Sequence, residues 1–191
     1  MKIGILALQG SVVEHINMFN RINNVKAFPI KYKEDLDHID GLVIPGGEST
    51  TIRKLLNDFK LIRPIKEKIK NGLPVWGTCA GLIVLAKIVD GKKNTSLGLM
   101  DISASRNAYG RQKESFVVET QIPQISEEPI PLVFIRAPYI SETEPFVEIL
   151  KTYNGRIVAV RQKNMLATSF HPELTQNLSV HKYFLSMIKH N

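Results

Sequence analysis

Cysteine is almost absent from the 191-residue chain, which has a single one at position 79. One cysteine cannot form an intramolecular disulfide, and alone it does not provide the ligand spacing of a zinc module. The sequence therefore excludes disulfide-rich secreted scaffolds and small zinc domains. A chain of this length buries about 70% of the surface it exposes when unfolded, so its core needs no covalent or metal support. We expect one domain over residues 1–191 and no metal.

Long hydrophobic runs are also missing. The longest apolar stretch, residues 81–89, is interrupted by Lys87 and falls far short of the ~20 residues that span a bilayer. The apolar N-terminal run is broken by Gln9, too early for a signal peptide. We therefore expect a cytoplasmic protein that does not engage a membrane.

Aromatic residues are scarce at 7%, and the sequence contains neither Gly-x-Gly-x-x-Gly nor Gly-x-x-x-x-Gly-Lys. Dinucleotide and P-loop sites are therefore not expected, and we expect no cofactor. The net charge is +7, but the lysines and arginines are dispersed along the chain. Nucleic-acid binding requires clustered basic residues with stacking aromatics, so the charge indicates a solvated basic surface or a face complementary to an acidic partner.

Short apolar runs alternate with helical patterns in the first half of the chain. The patterns predict strands at 2–8, 25–30, 41–44 and 73–77, and helices at 11–23, 50–59, 64–71 and 80–89. Ser11 and Glu14 have the spacing of a capping box. Strands separated by turns are predicted at 116–122, 131–135, 147–150, 157–161 and 165–170, before a last helix at 178–189. We expect an α/β three-layer sandwich, flavodoxin-like, with a mixed, mostly parallel sheet and helices on both faces.

Cys79 lies between a predicted strand and a predicted helix, with glycine two residues away on either side. This Gly-x-nucleophile-x-Gly pattern is typical of a strained elbow, on which bulkier flanking residues would clash. The N-terminus of the following helix favours the thiolate form of the nucleophile. The alternative is a buried cysteine that packs as a small apolar residue. We favour the nucleophile.

His171 is the histidine best placed to serve Cys79, because it follows an apolar strand and precedes Pro172-Glu173. Proline favours extended backbone at the residue before it, and residues two apart in extended chain point to one side. Glu173 can then orient the imidazole of His171, giving a nucleophile, a base and an acid. The other four histidines are interpreted as surface or packing residues: His15, His38, His181 and His190.

Two further features are ambiguous on their own. The glycine-rich loop at 45–51 is either an ordinary turn capped by Ser49 or Thr50, or a source of backbone N–H groups for an oxyanion hole. Arg106 and Arg136 stand among small or apolar neighbours, and each is either a solvated surface residue or part of a carboxylate clamp.

Six segments together resemble the triad glutamine amidotransferases, and more narrowly the family of glutaminase subunits of pyridoxal 5′-phosphate synthase. They are LALQG (6–10), GLVIPGGESTT (41–51), GTCAGLIVLAK (77–87), RNAYGRQKESF (106–116), FIRAP (134–138) and SFHPELT (169–175). The resemblance implies a single glutamine amidotransferase domain, an L-glutamine substrate, a glutamate product and no metal. It also implies that ammonia passes to a barrel-shaped synthase partner.

Site residues follow from the same resemblance. It implies that Cys79 is the nucleophile, His171 the base and Glu173 the orienting acid. The implied oxyanion donors are the N–H groups of Gly47 and Ala80. The residues implied to hold glutamine are Gly47, Glu48, Ser49, Arg106, Ile135 and Arg136. Activity is expected to be low without the partner, and we hypothesise that the oxyanion loop rearranges on docking with participation of Gln9.

Two enzymatic alternatives remain open from the sequence. One is a glutaminase that feeds another synthase, such as imidazole glycerol phosphate synthase, which would share the triad. The other is a cysteine hydrolase of the related elbow-bearing α/β type. Alkylation of Cys79 by a glutamine analogue, with protection by glutamine, separates the glutaminases from such a hydrolase.

Overall fold

The computed structural model describes residues 1–106 and 115–189. The strands are β1 (Lys2–Leu6), β2 (Lys26–Ile30), β3 (Gly41–Ile44), β4 (Val75–Thr78), β5 (Ala86–Val89), β6 (Lys92–Lys93), β7 (Met100–Ser105), β8 (Ser115–Ile122), β9 (Ser126–Ile135), β10 (Tyr139–Thr143), β11 (Glu148–Tyr153), β12 (Arg156–Gln162) and β13 (Met165–Thr168). The α-helices are α1 (Val12–Asn20), α2 (Ser49–Asp58), α3 (Ile62–Lys70), α4 (Ala80–Leu85) and α5 (Ser179–Lys189). Short 3₁₀ helices cover Lys33–His38 and Pro172–Leu174.

The main sheet is mixed, as the sequence predicts. Its order is β2-β1-β3-β4-β13-β12-β10-β7-β5-β6, with β11 also paired to β12. The five strands from β2 to β13 are mutually parallel, whereas β12 and β10 run antiparallel to their neighbours. The sheet is therefore parallel in the half that carries β1, β3, β4 and β13, whose carboxyl ends lie at one edge.

Two hydrophobic cores lie on opposite faces of this sheet, which confirms the three-layer prediction. One core packs helices α2, α3 and α4 against the sheet. The other packs α1, α5 and the separate hairpin β8–β9 on the opposite face. Trp76 and Phe184 are fully buried in this second core, with ring centroids 5.8 Å apart. The hairpin thus serves as part of a layer that helices alone were expected to form.

The predicted helix at 80–89 is wrong in its second half. Helix α4 ends at Leu85, and the chain continues directly as β5, which pairs in parallel with β7. Asn94 explains the end of the helix, because its side-chain amide donates to the carbonyls of Ile83 and Ala86, both at 2.7 Å. A continuous apolar run does not by itself distinguish a buried helix from a buried strand. Strands β6, β7 and β10, which assemble at this edge, were not predicted.

Other elements agree with the sequence within a few residues. Strand β3 matches its predicted bounds, and α2, α3 and α5 begin and end within two residues of theirs. In the described ranges 1–106 and 115–189, no helix is long and apolar enough to cross a membrane.

The aromatic packing around α5 yields a stability prediction. We expect Phe184→Ala to lower the free energy of unfolding by about 3–5 kcal/mol, because it leaves a cavity in a fully buried cluster. Phe146→Ala is the matched control, since Phe146 is 63% exposed and its truncation should change stability by less than about 0.5 kcal/mol. Urea denaturation of both variants measures the difference. Equal losses would contradict this placement of α5.

Candidate active site

The candidate site lies where the parallel strands end. Loops that follow β1, β3 and β4 meet there, as expected for the ligand crevice of an open α/β sheet. They surround a cavity of about 510 Å³. The residues that line it are Gln9, Gly47, Glu48, Ser49, Cys79, Ala80, Ile83, Arg106, Arg136 and Pro138. Seven of the sequence-predicted site residues are therefore brought to one cavity, and the remaining three adjoin Cys79 or one another, as described below.

Cys79 stands on a strained turn between β4 and α4, with φ +49° and ψ −104°. Its backbone N–H donates to the carbonyl of Thr168 at 2.8 Å, which ties the turn to β13. A Cβ at Gly77 would lie 2.5 Å from the Gly81 carbonyl, and a Cβ at Gly81 only 2.0 Å from the carbonyl oxygen of Ile44. Both flanking glycines are thus required by close backbone contacts, as the elbow pattern predicts.

His171 is fixed from two directions. Its Nδ1 lies 2.8 Å from Oε1 of Glu173, and its backbone N–H donates to the carbonyl of Val133 in β9 at 2.8 Å. Burial disfavours the imidazolium, but a hydrogen bond with Cys79 and the charge of Glu173 outweigh it, raising the pKa of His171 to about 10. The ring is therefore suited to hold a proton beside the Cys79 sulfur.

Glu173 is the buried acid of this arrangement. Its Oε1 accepts hydrogen bonds from both His171 and the hydroxyl of Ser11, the latter at 2.6 Å. Burial alone would raise the pKa of Glu173, but His15, His171 and Ser11 reverse the effect and lower it to about 2. Glu173 is thus an anion at neutral pH, as an orienting acid must be.

The capping box predicted at Ser11 is wrong. The Ser11 side chain makes no capping hydrogen bond to α1, because its hydroxyl donates to Glu173 instead. Its backbone N–H donates to the carbonyl of Gly46 at 3.0 Å. Ser11 therefore links the loop after β1 to both Glu173 and the glycine-rich loop.

The glycine-rich loop packs directly on Cys79 and His171. A Cβ at Gly46 would lie 2.3 Å from the His171 ring and 3.3 Å from Cβ of Cys79, so only glycine fits. At Gly47 a Cβ would lie 2.4 Å from Oε1 of Gln9. The loop that is predicted to supply an oxyanion donor thus contacts Gln9 as well as His171 and Cys79.

The first residue of α2 is preceded by an acidic cap, which the sequence did not indicate. The carboxylate of Glu48 accepts from the backbone N–H groups of Thr50 and Thr51 at 3.0 and 2.7 Å, and from both hydroxyls. These hydrogen bonds lower the pKa of Glu48 to about 2. Neither Ser49 nor Thr50 is therefore the cap, as the ordinary-turn alternative supposed. The N–H of Glu48 donates to Oε1 of Gln9 at 2.7 Å.

Three other residues implied to hold substrate, Ile135, Arg136 and Arg106, come from β9 and β7 or the turns that follow them. The carbonyl of Ile135 is 3.9 Å from the Cys79 sulfur, and Arg136 follows in a left-handed conformation at φ +44°. Arg106 lines the cavity while its Nε lies 3.4 Å from Oδ2 of Asp90. Residues 107–114 of the segment that carried the resemblance lie outside the described residues.

His15 is buried, as a packing residue should be, but it also lies beside Glu173, which the sequence did not indicate. It is fully buried, and its Nε2 lies 3.4 Å from Oε2 of Glu173 and 3.3 Å from Oγ1 of Thr78. The sequence signal that could have indicated this contact is the position of His15, one helical turn after Ser11 and shortly after the Gln9-Gly10 turn. His181 is buried behind it, as a packing residue should be, and His38 is exposed. Among residues 1–106 and 115–189, no group of three His, Cys, Asp or Glu side chains could hold a metal ion.

Comparison with known proteins shows the family of the chain. Residues 5–190 match the SNO glutamine amidotransferase family. The chain belongs to that family. Its relatives include the pyridoxal 5′-phosphate synthase subunit PdxT of Ruminiclostridium cellulolyticum, 55% identical over 98% of this chain and 99% of the relative. The PdxT of Clostridium botulinum is 54% identical over 97% of this chain and 96% of its own.

Solved structures agree on the architecture of this glutamine amidotransferase. A crystal structure described as a glutamine amidotransferase superimposes with a TM-score of 0.92 at 39% identity, covering 98% of both chains. A putative GMP synthase component from Thermoplasma acidophilum superimposes with a TM-score of 0.70 at 17% identity, over all of this chain and 94% of its own. The second likeness concerns the fold alone, which is the flavodoxin-like α/β sandwich.

The lowered pKa of Glu173 predicts a specific acid sensitivity. A carboxylate whose pKa is depressed on folding contributes stability above its unfolded pKa of about 4.5, and loses that contribution as the pH falls towards about 2. We expect the free energy of unfolding of the wild type to fall more steeply between pH 4.5 and 2 than that of Glu173→Gln. Denaturant unfolding at several pH values measures the slopes. Parallel curves would show that folding does not lower the pKa of Glu173.

Proposed function

We propose that this chain is the glutaminase subunit of a pyridoxal 5′-phosphate synthase, and that it hydrolyses L-glutamine to L-glutamate and ammonia. The observation that carries the proposal is Cys79 on a strained elbow, beside His171 that is hydrogen-bonded to a buried Glu173 at 2.8 Å. Support for the particular synthase comes from relatives named PdxT at 48–55% identity over nearly the full chain.

The first half of the reaction forms a thioester. The Cys79 thiolate attacks the carboxamide carbon of glutamine, and the carbonyl oxygen becomes an oxyanion that the N–H groups of Gly47 and Ala80 stabilise. His171, which holds a proton because its pKa is raised to about 10, then donates it to the departing nitrogen. The C–N bond breaks, ammonia leaves, and the γ-glutamyl group stays on sulfur.

The second half of the reaction releases glutamate. His171, now neutral, takes a proton from a water molecule that attacks the thioester carbon. The C–S bond breaks, the thiolate returns, and His171 is again an imidazolium. Glu173 keeps its charge throughout, because its role is to hold the ring of His171 through Nδ1.

Glutamine is held by its amino-acid end. We assign Arg106 and Arg136, both on the cavity wall, to the α-carboxylate, and the backbone at Gly47, Glu48, Ser49 and Ile135 to the rest of the substrate. The carboxylate of Glu48 is already bound by two backbone N–H groups, so it shapes the loop rather than acting as a base.

The proposal includes the context of the reaction. Residues 1–191 form one glutamine amidotransferase domain, which passes ammonia to a barrel-shaped synthase partner. Because a nucleophilic thiol must stay reduced, the proposed chemistry fits a cytoplasmic location.

The nucleophile assignment predicts a clear loss of activity. We expect Cys79→Ala to lower kcat for glutamate release, measured with the synthase partner present, by at least about a thousandfold. Ser186→Ala is the control. Its kcat should stay near that of wild type, because the Ser186 hydroxyl makes its hydrogen bond to the Tyr183 carbonyl within α5. A diazoketone analogue of glutamine should label the wild type once and Cys79→Ala not at all, with protection by glutamine. Undiminished glutamate release, or labelling that glutamine does not prevent, would contradict the assignment.

The Gln9 contact predicts an effect on activation by the partner. Gln9 holds the N–H of Glu48 at 2.7 Å and lies against Gly47, so it restrains the oxyanion loop in the free chain. Since one hydrogen bond is worth about 1 kcal/mol, we expect Gln9→Ala to lower the ratio of activities with and without synthase about fivefold. Glutamate production at saturating synthase measures the ratio. An unchanged ratio would exclude Gln9 from the activation step.

A further inference from the structure

The buried carboxylate of Glu173 has two oxygens, and the family triad accounts for only part of what surrounds them. Oε1 accepts from His171 and from the Ser11 hydroxyl. Oε2 is buried and, within the described residues, has no hydrogen bond of good geometry. The group that faces Oε2 is Nε2 of His15, at 3.4 Å. A buried carboxylate oxygen is costly unless a donor satisfies it, so His15 stands where a donor is needed.

The ring of His15 is able to donate from that nitrogen. Burial lowers its pKa, so the imidazole is neutral and carries one N–H at neutral pH. Nε2 faces two oxygens, Oγ1 of Thr78 and Oε2 of Glu173, whereas Nδ1 has no hydrogen-bond partner among the described residues. The proton therefore belongs on Nε2, which lies 3.3 Å from the hydroxyl of Thr78, the residue before Cys79, and 3.4 Å from the anionic oxygen.

Ser11 and His15 reach the carboxylate from one element. They stand four residues apart at the start of α1, so their side chains lie on the same face of the helix. The ring of His15 is held by edge-on contacts with Trp76, at 5.4 Å between centroids, and lies 5.6 Å from the ring of His181. This packing excludes water from the carboxylate and strengthens its hydrogen bonds.

We propose that Ser11 and His15 are positioning residues for Glu173, each holding one carboxylate oxygen and thereby fixing His171 against Cys79. They touch neither substrate nor sulfur and act only through Glu173. The inference rests on the proposed glutaminase activity for its kinetic readout, but the geometry it describes does not.

The kinetic test separates donation from packing. His15→Leu removes the N–H, whereas His15→Gln places an amide N–H at the position of Nε2. A lost hydrogen bond to a charged group corresponds to about tenfold to a hundredfold in rate. We expect His15→Leu to lower kcat by that amount with the synthase present and to leave KM for glutamine within twofold, because His15 does not line the cavity. His15→Gln should stay within about threefold of wild type.

His181→Phe is the matched control for packing. His181 is equally buried, and its ring nitrogens have no hydrogen-bond partner in the described part of the chain. The His181→Phe variant should retain kcat within about threefold of wild type. The proposal is overturned if His15→Gln or His181→Phe falls as far as His15→Leu, if KM rises in proportion, or if His15→Leu keeps full kcat. Should His15→Leu fail to fold, the same test is made at Oε1 by comparing Ser11→Ala, which removes the hydroxyl, with Ser11→Thr, which keeps it. We expect kcat to fall about tenfold in Ser11→Ala and to be retained in Ser11→Thr.

A second readout is independent of glutamine. The Nδ1 proton of His171 is hydrogen-bonded to a carboxylate and therefore gives a far-downfield proton NMR signal. The signal is assigned to this proton by its disappearance in Glu173→Gln. We expect the signal to persist in His15→Gln and His181→Phe and to move upfield or vanish in His15→Leu. If that pattern holds while the wild type releases no glutamate with synthase, the proposed function fails and the positioning role stands. If glutamate is released but the leucine and glutamine variants give the same signal, the positioning role fails.

Discussion

The ionised carboxylate of Glu173 is the constraint around which the site is built. Its side chain is wholly shielded from solvent, and a buried anion is tolerated only with good hydrogen-bond partners. The donors come from separate parts of the chain: Ser11 from the loop after β1, and His171 from the end of β13. Stabilising the Glu173 anion therefore requires that the ends of β1 and β13 lie close together. The same arrangement places His171 beside Cys79.

Backbone contact, more than side-chain packing, sets the distances at this edge. Gly10, in a left-handed conformation at φ +107°, has no room for a Cβ because the Gly46 carbonyl oxygen would lie 1.8 Å from it. Gly46 meets the His171 ring, and Gly81 meets the Ile44 carbonyl. The segments that follow β1, β3, β4 and β13 thus contact one another at glycine residues. The strained conformation of Cys79 persists because it is enclosed by these contacts and by its hydrogen bond to Thr168.

The sequence predicts this architecture well where one local rule decides each element. Apolar runs between helical patterns predicted β1, β2, β3 and β4, and hence a parallel sheet, whereas β13 was predicted as a strand but not as part of the parallel half. The Gly-x-Cys-x-Gly and His-Pro-Glu patterns predicted neighbours that the structure brings together. Prediction failed where a residue outside the local pattern determines the structure. Asn94 ends α4 by donating to carbonyls at its carboxyl end. Glu173 accepts the Ser11 hydroxyl, which was therefore not available to cap α1. The proximity of His15 to Glu173 was not predicted for the same reason, because the two residues are 158 positions apart.

Under the proposed function, Arg106 on the cavity wall would bind substrate reversibly beside a rigid reaction centre. Cys79, His171 and Glu173 are buried and linked to strand ends, whereas the Arg106 and Asp90 side chains are each more than two-fifths exposed. An exposed ion pair is worth at most about 1 kcal/mol, so a substrate carboxylate can compete with Asp90 for the guanidinium. Asp90 also accepts the backbone N–H of Arg106 at 3.0 Å, which holds the residue at the cavity while its side chain exchanges partners. Under the proposed function, the reacting groups are thus held in place before glutamine arrives, and Arg106, which we assign to its carboxylate, is anchored through its backbone.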